Sequence, residues 1–288
     1  MHFMNNGHLV AGVARLVRAQ GGAVPTLEAL PAAYRAMATE LRPAGLEVQS
    51  DSLTITYEDG SWAEYCQENA IFAHIFNGAG QTDRATREAC EGKVREALQL
   101  IEDIHPGLRY MVDLLITDLI ILNSGADGGG SASHMPGVVV MSPGPRWETL
   151  DYAMCLVHEG LHLGLFVLDK VYSTFTLPSV ELHKDQHRAL SAVKIGQMRP
   201  LDKAFHAAAV TVPLMYMEYR CGKTALVDQY TKSLADACES LEKQRTYFTP
   251  YGAMLLDELS AFGKNIDFEL AERSITDPQL AGYRPQAA

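Results

Sequence analysis

Ala153-Met154-Cys155-Leu156-Val157-His158-Glu159-Gly160-Leu161-His162-Leu163-Gly164-Leu165-Phe166-Val167-Leu168 is the stretch on which the reading turns. Its apolar residues leave no polar face, so the segment reads as a helix buried on most sides. A helical run is expected from about Trp147 to Val171. His158 and His162 are four residues apart, which places both imidazoles on one face, within reach of one ion. Glu159 points about 100° away from His158. There it can meet a metal-held water or orient a ligand. Two imidazoles and a carboxylate buried together without partners would cost several kcal/mol, and a cation supplies the missing partner. Cys155, one turn earlier, is either a further approach to the metal or a small buried apolar side chain.

A third protein ligand is needed, and spacing leaves it open. Glu181 follows His162 by 19 positions, an interval that suits a glutamate on a second helix. His206 sits in an apolar run after Lys203 and is nearly level with it. His187 belongs to a polar run, Glu181 to His187, that reads as a solvated helical face.

Around this segment the chain is mostly helical. Helical spacing covers 7–20, 26–41 (with Pro25 placed to start it), 62–76 and 83–104. Another helix is expected to begin near Leu108. Residues 46–57 read as a strand ended by Asp59-Gly60, and 137–142 as a strand rich in β-branched residues. The segment 123–133, with Gly128-Gly129-Gly130, reads as a flexible loop. No Lys-Ser/Thr follows these glycines, so they form no phosphate loop. From about 187 onward the chain reads as helical with breaks at Pro200 and Pro213, ending in a loose tail of about a dozen residues. Met215, Tyr216, Met217 and Tyr219 read as core or as a pocket wall.

The expected fold is α+β and predominantly helical. A small antiparallel or mixed sheet packs on the buried HExxH helix as a zincin-like core, after an N-terminal helical region. Residues 1–110 would be a mostly helical region with one hairpin or strand, and 111–288 the metal-binding catalytic region, continuous with it.

The 288 residues are 47% hydrophobic and 20% charged, with a formal net charge of −11. That balance argues against nucleic acid and anionic membranes as partners. No apolar run approaches the roughly 20 residues of a membrane span. Five cysteines without a CxxC pair suit reduced thiols in the cytoplasm. Oligomeric state is not legible.

Three pieces together resemble the HExxH-type peptide β-hydroxylases, iron(II)- and 2-oxoglutarate-dependent enzymes that modify ribosomally made peptides. They are Ser131-Ala132-Ser133-His134-Met135-Pro136-Gly137-Val138-Val139-Val140-Met141-Ser142, the His158–His162 helix, and Arg199-Pro200-Leu201 followed by His206. The resemblance implies an oxygenase hydroxylating a side-chain carbon of a peptide or amino acid. His158, His162 and His206 would hold Fe(II). Arg199, or else Arg220, would hold the far carboxylate of 2-oxoglutarate by bidentate pairing, with Ser133 among the cofactor contacts. Glu159 would position groups around the metal. An extended peptide is expected to pair with strand 137–142. The rival reading is a zinc metallopeptidase with Glu159 as general base and Glu181 as third ligand.

Overall fold

The computed structural model describes residues 1–23 and 25–275. The expected tail lies outside the described residues. The chain is mostly helical with a small mixed sheet. Among the described residues, no helix is long and apolar enough to cross a membrane. The described residues gather into two compact units, one formed by residues 17–163 and the other by Met1–Leu16 with residues 164–275. Position 110, where the sequence reading divides the chain, lies inside a helix (Pro106–Leu115).

The unit of residues 17–163 is built on strands β1 (Thr54–Thr56), β2 (Asp118–Ile121), β3 (Gly128–Ser131) and β4 (Val138–Ser142), in the spatial order β1-β2-β4-β3. β1 and β4 both run parallel to β2, and β3 runs antiparallel to β4. β2 and β4 are buried throughout, which explains their apolar runs 119–121 and 138–141. The strand expected over 46–57 shrinks to β1. It pairs with β2 in parallel, so it forms no hairpin.

The helices of this unit are α2 (Leu30–Leu41), α3 (Ser61–Glu68), α4 (Ala73–Phe76), α5 (Arg84–Ile104) and α6 (Pro106–Leu115), after the end of α1 (Asn6–Ala19). Pro31 rather than Pro25 occupies the first turn of α2. The helix expected over 62–76 breaks because Ala70 and Phe72 take positive φ, 52° each. Trp62, Cys66, Ile75 and Phe76 form a core with Ile120, Val138 and Val140 on one face of the sheet. The other face meets the start of α7 (Thr149–Tyr172), because a Cβ on Gly129 would stand 2.7 Å from Cys155 Sγ.

The glycine run is therefore a strand and not a loop. Gly129 has no room for a side chain under α7, and a Cβ on Gly130 would meet the Phe72 ring at 2.7 Å. Close packing on both faces sets these residues, overriding the poor strand preference of glycine.

In the other unit α9 (Leu201–Arg220) is buried from Ala204 to Glu218. Around it stand α8 (Ser179–Leu182), the antiparallel strands β5 (Arg188–Leu190) and β6 (Met198–Pro200), α10 (Ala225–Glu242), α11 (Pro250–Lys264) and α12 (Phe268–Ile275). Pro213 lies inside α9 without breaking it. Burial on all sides outweighs the one main-chain bond a proline forfeits. Residues 183–187 are not helical, which corrects the expected helical face there. The buried Glu218 accepts from Leu226 N–H at 2.6 Å and Val227 N–H at 3.1 Å, capping α10.

Candidate metal centre

Helix α7 carries the HExxH residues as one continuous helix. Leu156, Val157, Leu161, Leu163 and Leu165 are buried. Met154, His158, His162 and Phe166 are only partly so. These four recur at every fourth position, so they form one accessible stripe on a helix otherwise buried over residues 152–168. The histidines are thus less shielded than their apolar flanks suggest.

The Nε2 atoms of His158 and His162 stand 3.0 Å apart. Their rings meet edge to face, with centroids 4.7 Å apart. Two nitrogens about 2.1 Å from a shared ion, at 90–109° to each other, lie about 3.0–3.4 Å apart, so the pair fits two positions around one metal. The His158 side chain keeps 24% exposure, but the surrounding protein lowers its pKa to about 4 through desolvation. The ring is neutral at pH 7, the form that ligates a metal.

Glu159 turns toward the sheet and is 3% exposed. Its Oε2 accepts from Ser131 Oγ–H at 2.7 Å, and its Oε1 lies 3.8 Å from His158 Nε2. Burial pushes the carboxyl up to about 7, and the Ser131 hydrogen bond opposes that rise. Cys155 lies beneath Gly129. Burial, then the nearby Glu159, raises its thiol well above the ordinary range.

His206 is buried on α9 at 8% exposure, its ring centroid 5.1 Å from that of Phe166. Burial, then Lys203, lowers its pKa to about 3 against the opposing Asp202. Phe166 follows His162 by four positions on α7. Among the described residues, no three His, Cys, Asp or Glu side chains form one metal-holding group.

Other expected residues lie as follows. Glu181 pairs with Lys184 at 2.7 Å and keeps 39% side-chain exposure. His187 is buried with its ring against Tyr247, centroids 4.4 Å apart. Arg199 stands opposite Ala189 on β6, half-buried, and forms no ion pair among the described residues. Arg220 is engaged, donating to Tyr216 Oη at 2.8 Å and Glu272 at 3.3 Å. Ser133 is exposed in the turn after β3. Met215, Tyr216 and Met217 are core, whereas Tyr219 is 52% exposed and stacks on Phe268.

Ser131, which donates to Glu159, enters the sequence reading only as part of the segments 123–133 and 131–142, and Gly129 only as part of a loop; neither is linked there to Glu159. A serine two positions from a glycine in a glycine-rich run carries no signal until the run is known to be a strand. β4 cannot receive a peptide, since β2 and β3 already pair with its two edges. The outer strands of the sheet are β1 and β3. Gly137 O and Met141 O accept from Thr117 N–H and Leu122 N–H on the β2 side. Main-chain directions alternate along a strand, so Val140 and Ser142 turn toward Gly130 and Gly128. The N–H and C=O groups of Gly129 and Ser131 then point off the sheet.

No protein-family model matches the chain, and comparison with curated proteins finds no match.

Proposed function

We propose that this chain is an iron(II)- and 2-oxoglutarate-dependent oxygenase that hydroxylates a side-chain carbon of a peptide or amino-acid substrate, as the HExxH-type peptide β-hydroxylases do. The observation that carries the proposal is the His158–His162 pair, with Nε2 atoms 3.0 Å apart on the accessible stripe of α7. Imidazole donors that leave positions open suit non-haem iron. Bound iron would supply O2 activation coupled to decarboxylation of 2-oxoglutarate.

His206 is the third ligand in this reading. Its support is a buried, neutral imidazole, whereas Glu181 is half-solvated and paired with Lys184. Arg199, which has no carboxylate partner among the described residues, is placed on the far carboxylate of 2-oxoglutarate. Arg220 is already committed to Glu272. Glu159 ties α7 to β3 through Ser131. An extended peptide would pair with the free edge of β3, beside the strand face that touches Glu159. A zincin-like arrangement of sheet and helix belongs to this proposal.

One observation favours the zinc-peptidase reading. Glu159 Oε1 lies 3.8 Å from His158 Nε2, close enough to serve as general base on a water held beside that ring. An assay separates the two readings. Chain purified without oxygen is supplied with Fe(II), 2-oxoglutarate and O2. Succinate formation that disappears in His158→Ala supports the oxygenase. Zinc-dependent peptide cleavage without succinate would sink it.

A further inference from the structure

Helix α2 and its C-terminal cap bury two guanidinium groups, and among the described residues only one has a counter-charge. Arg42 meets Asp118 Oδ2 at 2.8 Å. Arg35 is 8% exposed, and among the described residues it donates only from one terminal nitrogen, to the carbonyls of Ser50 at 3.1 Å and Ser52 at 3.5 Å. Among the described residues no carboxylate pairs with it. A buried cation without an anion is a costly arrangement, and a ligand carboxylate would relieve it.

Arg35 lines a cleft of about 600 Å³, walled by Leu53, Ile55, Val94, Leu98 and Leu114. That volume falls within the roughly 300–1,000 Å³ of small-molecule sites. The acids at its wall are largely committed. Asp113 pairs with Arg109 at 2.8 Å, and Glu91 accepts from Tyr57 Oη–H at 3.2 Å. Asp51 and Arg95, one charge of each sign, also line the cleft and are exposed.

We propose that this cleft binds a small apolar monocarboxylic acid, its carboxylate on Arg35 and its hydrocarbon along the aliphatic wall. The cleft lies within residues 31–116 and contains none of the residues assigned to the metal, so it stands or falls apart from the oxygenase reading.

Calorimetric titration of the full chain at pH 7 with octanoate, 1-octanol and octylamine tests it. Octanoate is expected to saturate one site, with octanol weaker by at least about tenfold because it lacks the charge-assisted pair, and octylamine silent. Arg35→Met should lose octanoate by a similar factor and Arg35→Lys should retain most of it. Leu98→Trp, which fills the cleft and leaves Arg35 in place, should also weaken octanoate. It keeps the test open should Arg35→Met fail to fold. The proposal is overturned if folded wild-type chain gives no saturable octanoate binding, if octanol binds equally well, or if Leu98→Trp leaves octanoate affinity unchanged.

Discussion

Ser131 Oγ donates a hydrogen bond of 2.7 Å to Glu159 Oε2, joining the edge strand of the sheet to the helix that carries the histidine pair. Ser131→Ala leaves a buried carboxyl short of a donor. A loss of about 1–3 kcal/mol in unfolding free energy is expected by denaturant titration. Ser133→Ala, at an exposed turn position, should change stability by less than about 0.5 kcal/mol. Equal losses from the two variants would count against this packing.

Gly129→Ala should destabilise by about 1–3 kcal/mol, the usual cost of overpacking, because its Cβ would stand 2.7 Å from Cys155 Sγ and 3.1 Å from Glu159 Oε1. Cys155→Ala opens the nearer of these contacts. The double variant should therefore be more stable than the sum of the two single effects, as a double-mutant cycle reads it. Strict additivity would show that the two residues do not touch.

The same contacts explain what was legible in the sequence. Helix α5 and most of α7 follow from apolar spacing, and β4 from its run of valines, because local pattern and burial agree there. β3 was not legible. Its glycines are fixed by Cys155, 26 positions beyond Gly129 on α7, and by the Phe72 ring, neither of which local preference reports. Pro213 misled for a related reason, since burial around α9 overrides a local breaker. The HExxH spacing located the histidine pair, but the contact between Glu159 and Ser131 depends on which strand takes the sheet edge.

Acid should destabilise the protein partly through His8. Burial, then the neighbouring His2, lowers its pKa from 6.5 to about 4, with Glu258 opposing, while its Nε2 lies 2.9 Å from Tyr251 Oη. The unfolded chain takes up this proton first, so the contribution is intact above pH 6.5 and is lost as pH falls toward 4. His8→Phe, which keeps a ring against Tyr172, should flatten stability against pH in that window. An unchanged slope would rule out His8 as a source.

The third ligand is separable by substitution. His206→Ala should weaken Fe(II) binding by more than about 100-fold, beyond what supporting residues usually contribute. Glu181→Ala should leave it unaltered. The reverse pattern would favour the peptidase reading.

Anaerobic titration of the metal-free chain with Fe(II), followed to its stoichiometry, tests the central claim most directly. One ion per wild-type chain is expected, with tight binding lost in both His158→Ala and His162→Ala. A wild-type chain that takes up no ion, or one whose uptake survives both substitutions, would contradict a metal held between these two rings.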